Sequence, residues 1–284
     1  MANLRTLIQA AAVLFLLYVM VRIGVGLINQ SFAHSISVTW TSVAALFFYL
    51  GAHMFRTLRL GMLIGGWQVG LRTIFYIHFL TAAVSAALPL KVGDVYRVVE
   101  LSAVAGGTVR SILIVWWERV FDICVILAIL IFAFSTTPVS AHAPYYAITG
   151  AAVVFILGTA VVFFVAPDNF RRLSLLIIRR HDSPRSIGVL RALNATHQAI
   201  KGAPAIVKNK LPSLITLTAL IWMFEVICFA LLLSAGTRTF GAATESLMGF
   251  LSTVALGDTL FSVLNTKNGA AFLYVVATQI PLVL

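Results

Sequence analysis

Long apolar stretches separated by short polar segments dominate the chain. Eight such stretches can be drawn, at 7–28, 36–55, 69–90, 109–134, 145–166, 211–235, 243–264 and 270–284. A helix of about twenty apolar residues crosses the hydrocarbon core of a bilayer. Because lipid cannot satisfy backbone polar groups, segments of this kind form helices. The pattern predicts an all-α polytopic membrane protein with about 6–8 hydrophobic helical segments.

The basic residues between these stretches predict which of them cross. Lys and Arg accumulate in cytoplasmic loops. The basic stretches here are 56–72, 91–110 and 167–212, and the loops without bases are 29–35 and 135–144. Eight complete crossings would place the bases on both sides of the membrane. If 69–90 enters from the cytoplasm and returns, every basic stretch and the N-terminus are cytoplasmic.

The composition of 69–90 also favours a helix that does not simply cross. The segment is rich in small residues and ends at Leu88-Pro89, and proline removes a backbone donor and clashes with the preceding turn. Irregular backbone at membrane depth requires cover from protein or a water-filled cavity. We therefore predict at least one re-entrant or broken helix, at 69–90. The alternative is an ordinary span that ends at the proline.

The stretch 167–212 is too polar to span a membrane, and it carries nine of the 20 basic residues. Ser183 and Pro184 match the preferred N-cap and first helical positions, and apolar residues recur at helical spacing over 187–193. These features predict a cytoplasmic basic amphipathic connector between two halves of a single transmembrane domain, 1–284. A solvated basic loop is the alternative reading.

Composition agrees with a membrane protein. Hydrophobic residues make up 61% of the chain and charged residues 10%, whereas about 25% of the residues in a soluble domain are charged. These values exclude a soluble globular domain, a disordered chain and a disulfide-stapled module. The net charge is +11, and bases clustered beside a span favour anionic lipid headgroups over nucleic acid. The expected partners are membrane lipids, and the sequence leaves homo-oligomerisation open.

Three charged residues lie deep inside segment 109–134. Each of Glu118, Arg119 and Asp122 costs about 2.5–3.5 kcal/mol at the bilayer centre unless it faces protein or water. Glu118 and Asp122 share one helix face, and Arg119 and Asp122 are three residues apart and can also meet. We predict an acidic stripe that lines a substrate or ion path. The alternative is an internal salt bridge that fixes helix packing.

Two further acids occupy apolar segments in the second half. Glu225 lies near the middle of 211–235 and is a natural partner for a buried arginine. Asp258 lies within 243–264. Both are candidate substrate-binding residues because charges inside membrane segments mark substrate and ion pathways.

A second group of candidate substrate-binding residues surrounds the predicted helix break. It comprises Pro89, Lys91, Gly93, Asp94 and Arg97. A helix that restarts near Asp94 would offer free N–H groups to an anion, and Arg97 has the geometry for bidentate phosphate binding. The alternative is a cytoplasmic turn with snorkelling bases.

The chain lacks the spacing patterns of metal, nucleotide and nucleophile sites. The six histidines show no metal-ligand spacing, and no zinc-protease, P-loop or serine-hydrolase motif occurs. His78, in the predicted re-entrant segment, is expected to be packed or hydrogen-bonded. We expect no metal, no cofactor and no enzymatic activity.

The order of motifs resembles one protein family. The motifs are Arg56…Arg59, Leu88-Pro89, Gly93-Asp94…Arg97 and Glu118-Arg119-x-x-Asp122. They are similar to those of the flippase-like transmembrane domain of lysylphosphatidylglycerol synthases and their stand-alone relatives. The clear similarity covers about 50–125. In the second half, Ala255–Asp258 resembles an Ala-Leu-Gly element of that family, whereas 265–269 departs from its Pro-Gly-Gly turn.

The resemblance implies translocation of a lipid or lipid-linked substrate between leaflets. We expect a location in the bacterial cytoplasmic (inner) membrane, and the distribution of bases predicts a cytoplasmic N-terminus. We expect a stand-alone member without the aminoacyl-transferase domain, so lipid aminoacylation is not carried over.

Three alternatives stay open. The first is an integral membrane lipid-modifying enzyme that uses Glu118, Asp122 and Asp258 as acid, base or metal ligands. The second is a non-transporting scaffold of a lipid or glycan synthesis complex. The third is a transporter of small solutes.

Overall fold

The computed structural model describes residues 40–65, 69–87, 92–136, 143–180 and 184–236, together with Ala10 and Leu14. Within these ranges the chain is almost entirely helical and contains no strand. The predicted all-α fold class is therefore confirmed. Apolar segments 243–264 and 270–284 lie outside the described residues, as does nearly all of 7–28.

Eight α-helices and one π-helix lie in the described ranges. The α-helices are α1 (Trp40–Ile64), α2 (Leu71–Ala87), α3 (Val92–Ser102), α4 (Thr108–Thr136), α5 (Ala143–Ala160), α6 (Ala166–Arg180), α7 (Pro184–Val207) and α8 (Leu211–Gly236). The π-helix, Val161–Val165, joins α5 to α6. Among these helices, Leu211–Leu231 within α8 is long and apolar enough to cross a membrane by length and composition.

Helix α1 continues well past the end of its predicted apolar segment at residue 55. It ends at Ile64, so Arg56 and Arg59 are helical residues and not part of a loop. Its last turn is held by two bases from other elements. Lys210 Nζ donates to the carbonyl of Met62 at 2.6 Å, and Arg110 donates to that of Ile64 at 2.9 Å. These bonds satisfy carbonyls that the end of a helix leaves without partners.

Helices α2 and α3 form an antiparallel hairpin. Ile74, near the start of α2, belongs to the same buried cluster as Leu101 at the end of α3 and Ala105 beyond it. Close approach at the other end requires a glycine, because a Cβ on Gly93 would overlap the Cα of Ser85. Helix α2 ends at Ala87 and α3 begins at Val92, so two separate helices occupy this part of the chain. Pro89 lies outside the described residues, and re-entry of 69–90 into the membrane stays a prediction.

The largest buried cluster lies where the C-terminal part of α1 meets α2, α4 and α8. It joins Leu60 and Leu63 of α1 to Ile77 of α2, Ile114 of α4 and Leu214 of α8. Many large apolar side chains elsewhere face outward, including Phe47, Leu50, Phe75, Ile131 and Phe164. Outward apolar surface on this scale suits a protein whose solvent is lipid.

The predicted connector 167–212 forms helices. Helix α6 and helix α7 pack against each other, and α7 begins at Pro184, as its sequence signal predicts. Arg172, Arg191 and Lys201 are exposed on these helices. The alternative of a solvated basic loop is wrong for the described part of this stretch, because 184–207 is one continuous helix.

Candidate functional site

Four arginine–carboxylate ion pairs lie where α1, α3, α4 and α8 meet in the described part of the chain. They are Arg56–Glu225, Arg59–Asp122, Arg97–Glu118 and Arg119–Asp94. We call these eight residues the ion-pair array. Four positive side chains face four negative ones, so the array is electrically neutral. Charges at membrane depth are tolerated when they face the interior and pair with one another.

The Arg59–Asp122 pair joins α1 to α4 and is the most extensively bonded member of the array. Arg59 donates two bonds to the carboxylate, at 2.7 and 3.1 Å, and a third to the hydroxyl of Thr218 on α8 at 3.1 Å. The indole of Trp222 approaches Asp122 at 3.4 Å. This fork-to-carboxylate geometry is the strongest form of the pair, and it ties three helices together.

Two further pairs combine a buried carboxylate with a partly accessible arginine. Arg97 of α3 binds Glu118 of α4 at 3.0 Å. Arg56 of α1 binds Glu225 of α8 at 2.8 Å. Glu118 and Glu225 are both almost fully buried. Each acid therefore depends on its arginine, because a buried carboxylate without a counter-charge is strongly unfavourable.

The Arg119–Asp94 pair is the accessible end of the array. The Arg119 side chain is 44% exposed and that of Asp94 is 22% exposed, against 3% and 16% for Arg59 and Asp122. Asp94 lies in the first turn of α3, where the helix dipole also favours its negative charge. The Arg119–Asp94 pair is the most accessible of the four pairs.

Helical spacing explains how the array is assembled. Glu118 and Asp122 are four residues apart on α4 and share one face, as predicted. Arg119 lies about 100° around the same helix and points to the start of α3. On α3 the corresponding residues are Asp94 and Arg97, three apart, so two adjacent pairs link α3 to α4.

The array contains six of the ten residues predicted from sequence: Asp94, Arg97, Glu118, Arg119, Asp122 and Glu225. Glu225 has an arginine partner, Arg56, and its role in substrate binding stays a prediction. Gly93 packs against Ser85 and serves the hairpin. Pro89, Lys91 and Asp258 lie outside the described residues.

The prediction of an acidic stripe needs correction. Glu118 and Asp122 do share a face, but each is neutralised by an arginine from another helix. Arg119 does not pair with Asp122 in the same helix and instead binds Asp94. The physical reason is the cost of burying charge, which leaves little room for acids without partners.

Sequence reasoning missed the two arginines of α1 as array members. The sequence pattern predicts that Arg56 and Arg59 lie in a cytoplasmic stretch, because they follow an apolar segment. They are one turn apart, and this spacing on a continued helix places both toward α4 and α8. The hydroxyl of Thr218 and the indole of Trp222 gave no comparable signal in the sequence.

A buried histidine pair lies beside the array. His53 Nδ1 of α1 and His78 Nε2 of α2 are 3.0 Å apart, and both rings are almost fully buried. This confirms that His78 is hydrogen-bonded. The ring of His53 also contacts the rings of Tyr49 and Phe79, with centroids 4.6 and 5.8 Å away.

An apolar cavity of about 260 Å³ lies between α4, the π-helix and α7. Trp116 and Phe163 form part of its wall. Trp117, the residue after Trp116, stacks on Phe163, and its indole N–H donates to the carbonyl of Ala203 at 3.0 Å. The cavity is therefore fixed by aromatic packing and is separate in chemistry from the array.

No group of three or more His, Cys, Asp or Glu side chains in the described ranges is placed to hold a metal ion. The carboxylates of the array are engaged by arginines, so their chemistry is that of ion pairing.

Comparison with known proteins gives one match. The family model for the lysylphosphatidylglycerol synthase TM region matches residues 6–258. Neither the curated proteins nor the solved structures gave a match. All eight residues of the array fall inside the matched region.

Proposed function

The chain belongs to the lysylphosphatidylglycerol synthase transmembrane-region family, and from this premise we propose that it moves a lipid or lipid-linked substrate between the leaflets. Membership makes the chain an integral membrane protein with a role related to membrane lipids. Translocation through the accessible end of the ion-pair array, at Arg119 and Asp94, without chemical change of the lipid, is the specific activity that we propose. The proposed location is the bacterial cytoplasmic (inner) membrane, with a cytoplasmic N-terminus.

One observation carries the proposal: the array runs from a buried, bidentate pair to a pair that is open to ligands. A lipid headgroup cannot cross the hydrocarbon core without polar partners. Arg119 offers a guanidinium that matches a phosphate in bidentate geometry. Its side chain is 44% exposed, so a phosphate can exchange with Asp94 as its partner.

The proposed path keeps the acyl chains in lipid while the headgroup enters the protein. Exposed bases of α6 and α7 attract anionic headgroups to the cytoplasmic surface. The headgroup then meets Arg119 beside the N-terminal turn of α3, where Asp94 lies. Asp94 returns to Arg119 when the headgroup leaves, so neither charge stays unpaired.

The scaffold alternative is favoured by one observation, the neutrality of the array. Four balanced pairs across four helices suit a purely structural lock, and such a protein would hold partner proteins without moving lipid. The two functions differ in what they require of Arg119. A structural role needs Arg119 only as the partner of Asp94. Translocation needs the Arg119 guanidinium to bind a lipid headgroup.

The test is leaflet exchange in liposomes that contain the purified protein. Fluorescent phosphatidylglycerol and fluorescent phosphatidylcholine are followed in parallel, with protein-free vesicles as background. We expect the wild type to exchange phosphatidylglycerol faster than phosphatidylcholine. We expect Arg119→Ala to abolish this exchange while the protein remains folded.

Arg191→Ala is the matched control, because Arg191 is an exposed arginine on α7, away from the array. It should retain most of the exchange. Normal exchange by a folded Arg119→Ala protein would remove Arg119 from the mechanism. No exchange of either lipid by folded wild type would favour the scaffold.

A further inference from the structure

The His53–His78 pair is a buried group that the proposed translocation does not yet use. His53 is 4% exposed and His78 is 1% exposed. The two rings share one hydrogen bond, between His53 Nδ1 and His78 Nε2. The outward nitrogens, His53 Nε2 and His78 Nδ1, have no hydrogen-bond partner among the described residues. Buried polar atoms without partners call for an explanation, and function is one.

The bonding of a neutral histidine pair fixes what its outward nitrogens can do. Each neutral ring has one N–H and one bare nitrogen. If one ring donates the shared bond, its outward nitrogen is bare and the other ring's outward nitrogen carries the proton. The reverse tautomer exchanges these roles. In either arrangement one end of the pair accepts a proton while the other end can release one.

The charged side chains that act most strongly on the pair belong to the array. Arg56 and Arg97 act on His53, and Arg97, Arg56 and Arg59 act on His78. The three arginines come from α1 and α3. Their carboxylates come from the helices opposite, Glu118 and Asp122 from α4 and Glu225 from α8. The pair therefore borders an assembly whose charge is zero when no ligand is bound.

An anionic headgroup would upset this balance. A phosphodiester brings one negative charge into the array, and each arginine already has a carboxylate. Histidine is the side chain that ordinarily changes charge between about pH 5 and 8. A nearby anion favours the charged form of a histidine, and the ring of Tyr49, centred 4.6 Å from that of His53, can stabilise a cation.

We propose that the His53–His78 pair takes up one proton when an anionic lipid headgroup enters the array, so that lipid and proton move together. The inference rests on the proposed function. The proton adds to the bare outward nitrogen, and the pair then holds three N–H protons and one positive charge. When the headgroup leaves, a proton departs from either outward nitrogen and the neutral pair re-forms. One proton is gained and one is lost, and no other bond changes.

The direct test is proton uptake by the purified protein in nanodiscs, in weak buffer with a pH indicator near neutral pH. The probe is short-chain phosphatidylglycerol, and short-chain phosphatidylcholine is its neutral counterpart. We expect uptake approaching about one proton per protein with phosphatidylglycerol and none with phosphatidylcholine. Equal uptake with both lipids, or none with either, would overturn the proposal.

The matched variant is His53→Asn combined with His78→Gln. The Asn amide replaces Nδ1 and the Gln amide replaces Nε2, so the buried hydrogen bond can persist without a titrating group. His197→Gln on α7 is the control, because His197 lies outside the array and bonds to the carbonyl of Pro167. Uptake should vanish in the double variant and persist in the control. Uptake that survives in the double variant would contradict the role of the pair.

Transport gives an independent readout. In liposomes with a pH difference, one proton per lipid predicts that trace labelled phosphatidylglycerol redistributes about tenfold per pH unit. Protein-free vesicles set the background. The double variant should exchange the lipid without responding to the gradient, and an undiminished response would overturn the proposal.

A failure of the inference and a failure of the proposed function look different. Headgroup-linked proton uptake without exchange by the wild type would refute translocation alone. Exchange without uptake would refute the proton coupling alone. If the double variant does not fold, nitrogen NMR of the wild-type histidine rings decides the question. Two imidazole rings that stay neutral at saturating phosphatidylglycerol would overturn the proposal, and conversion of the pair to its charged form would support it.

Discussion

Two ion pairs on the same helix show how one chemistry serves two purposes. Asp122 and Arg119 are three residues apart on α4, and each pairs with an opposite charge from another helix. The Arg59–Asp122 pair is buried, bidentate and supported by Thr218. The Arg119–Asp94 pair is half exposed and has no such support in the described structure.

The difference lies in what removal of one partner would leave behind. Without Arg59, the carboxylate of Asp122 would lose its hydrogen-bonded counter-charge. Without Arg119, the carboxylate of Asp94 could bind water or the free N–H groups in the first turn of α3. Burial therefore separates a pair that holds helices together from a pair that can bind a ligand. On α4, Asp122 therefore belongs to a pair that stabilises helix packing, and Arg119 belongs to a pair that can bind a ligand.

The largest expected effect comes from breaking the buried pair. Arg59→Ala should lower the free energy of unfolding by about 3–5 kcal/mol, because it strands a buried charge. Chemical unfolding of the purified protein in detergent measures this loss. The control replaces both partners, Arg59→Met with Asp122→Leu, and should stay close to wild type. A small loss for the single variant would place the pair nearer to water than its burial indicates.

A smaller loss is expected from Gly93→Ala, which acts on the hairpin that carries Asp94. The new Cβ would overlap both the hydroxyl and the Cα of Ser85. Overpacking of this kind costs about 1–3 kcal/mol, and it should also move Asp94 away from Arg119. Thermal unfolding and leaflet exchange report the two consequences.

The control for the hairpin is Gly188→Ala on α7, where the added Cβ meets nothing within 4 Å. Alanine in an exposed helix is more favourable than glycine by about 0.5–1 kcal/mol, so this variant should be slightly stabilised. Equal stability of the two variants would mean that α2 and α3 can separate freely.

Removing the accessible pair should cost the fold little. Arg119→Ala is expected to lower the free energy of unfolding by about 1 kcal/mol, the usual size for a single substitution, because Arg119 and Asp94 form the most accessible pair of the array. Its effect on leaflet exchange should nevertheless be large. A loss of stability as great as that of Arg59→Ala would erase the distinction between the two ends of the array.

The smallest effect is expected outside the array. Arg191→Ala on α7 should change stability by no more than about 0.5 kcal/mol. Because a base near an anionic surface contributes about 1 kcal/mol, it should modestly reduce enrichment of labelled phosphatidylglycerol around the protein in mixed nanodiscs. Tryptophan-to-lipid energy transfer measures that enrichment, and a gain in enrichment would count against attraction by the connector.

Much of the fold followed from local patterns. The period and length of apolar stretches predicted α4 and α8 to within about two residues, and Pro89 predicted the separation of α2 from α3. The extent of α1 did not follow in this way. From the local pattern, Arg56 and Arg59 mark the end of a span. The acids that let the helix continue lie 169 and 63 residues further along the chain, so no local pattern reveals them.

The candidate site was predictable in membership but not in pairing. Charges inside apolar segments marked Glu118, Arg119, Asp122 and Glu225, because such charges are costly and require a reason. Which arginine meets which acid depends on how helices distant in sequence pack together. This packing belongs to the tertiary structure and cannot be seen in one helix. The pattern along α4 therefore predicted an acidic stripe, whereas the folded protein has neutral ion pairs.

The central claim is that the two ends of the array differ in role, and one comparison tests it most directly. Exchange of fluorescent phosphatidylglycerol is measured for Arg119→Ala and for the Arg59→Met, Asp122→Leu double variant, each per folded protein. The account predicts that Arg119→Ala is folded and inactive, whereas the double variant is folded and retains exchange. An active Arg119→Ala protein beside an inactive, folded double variant would contradict the account.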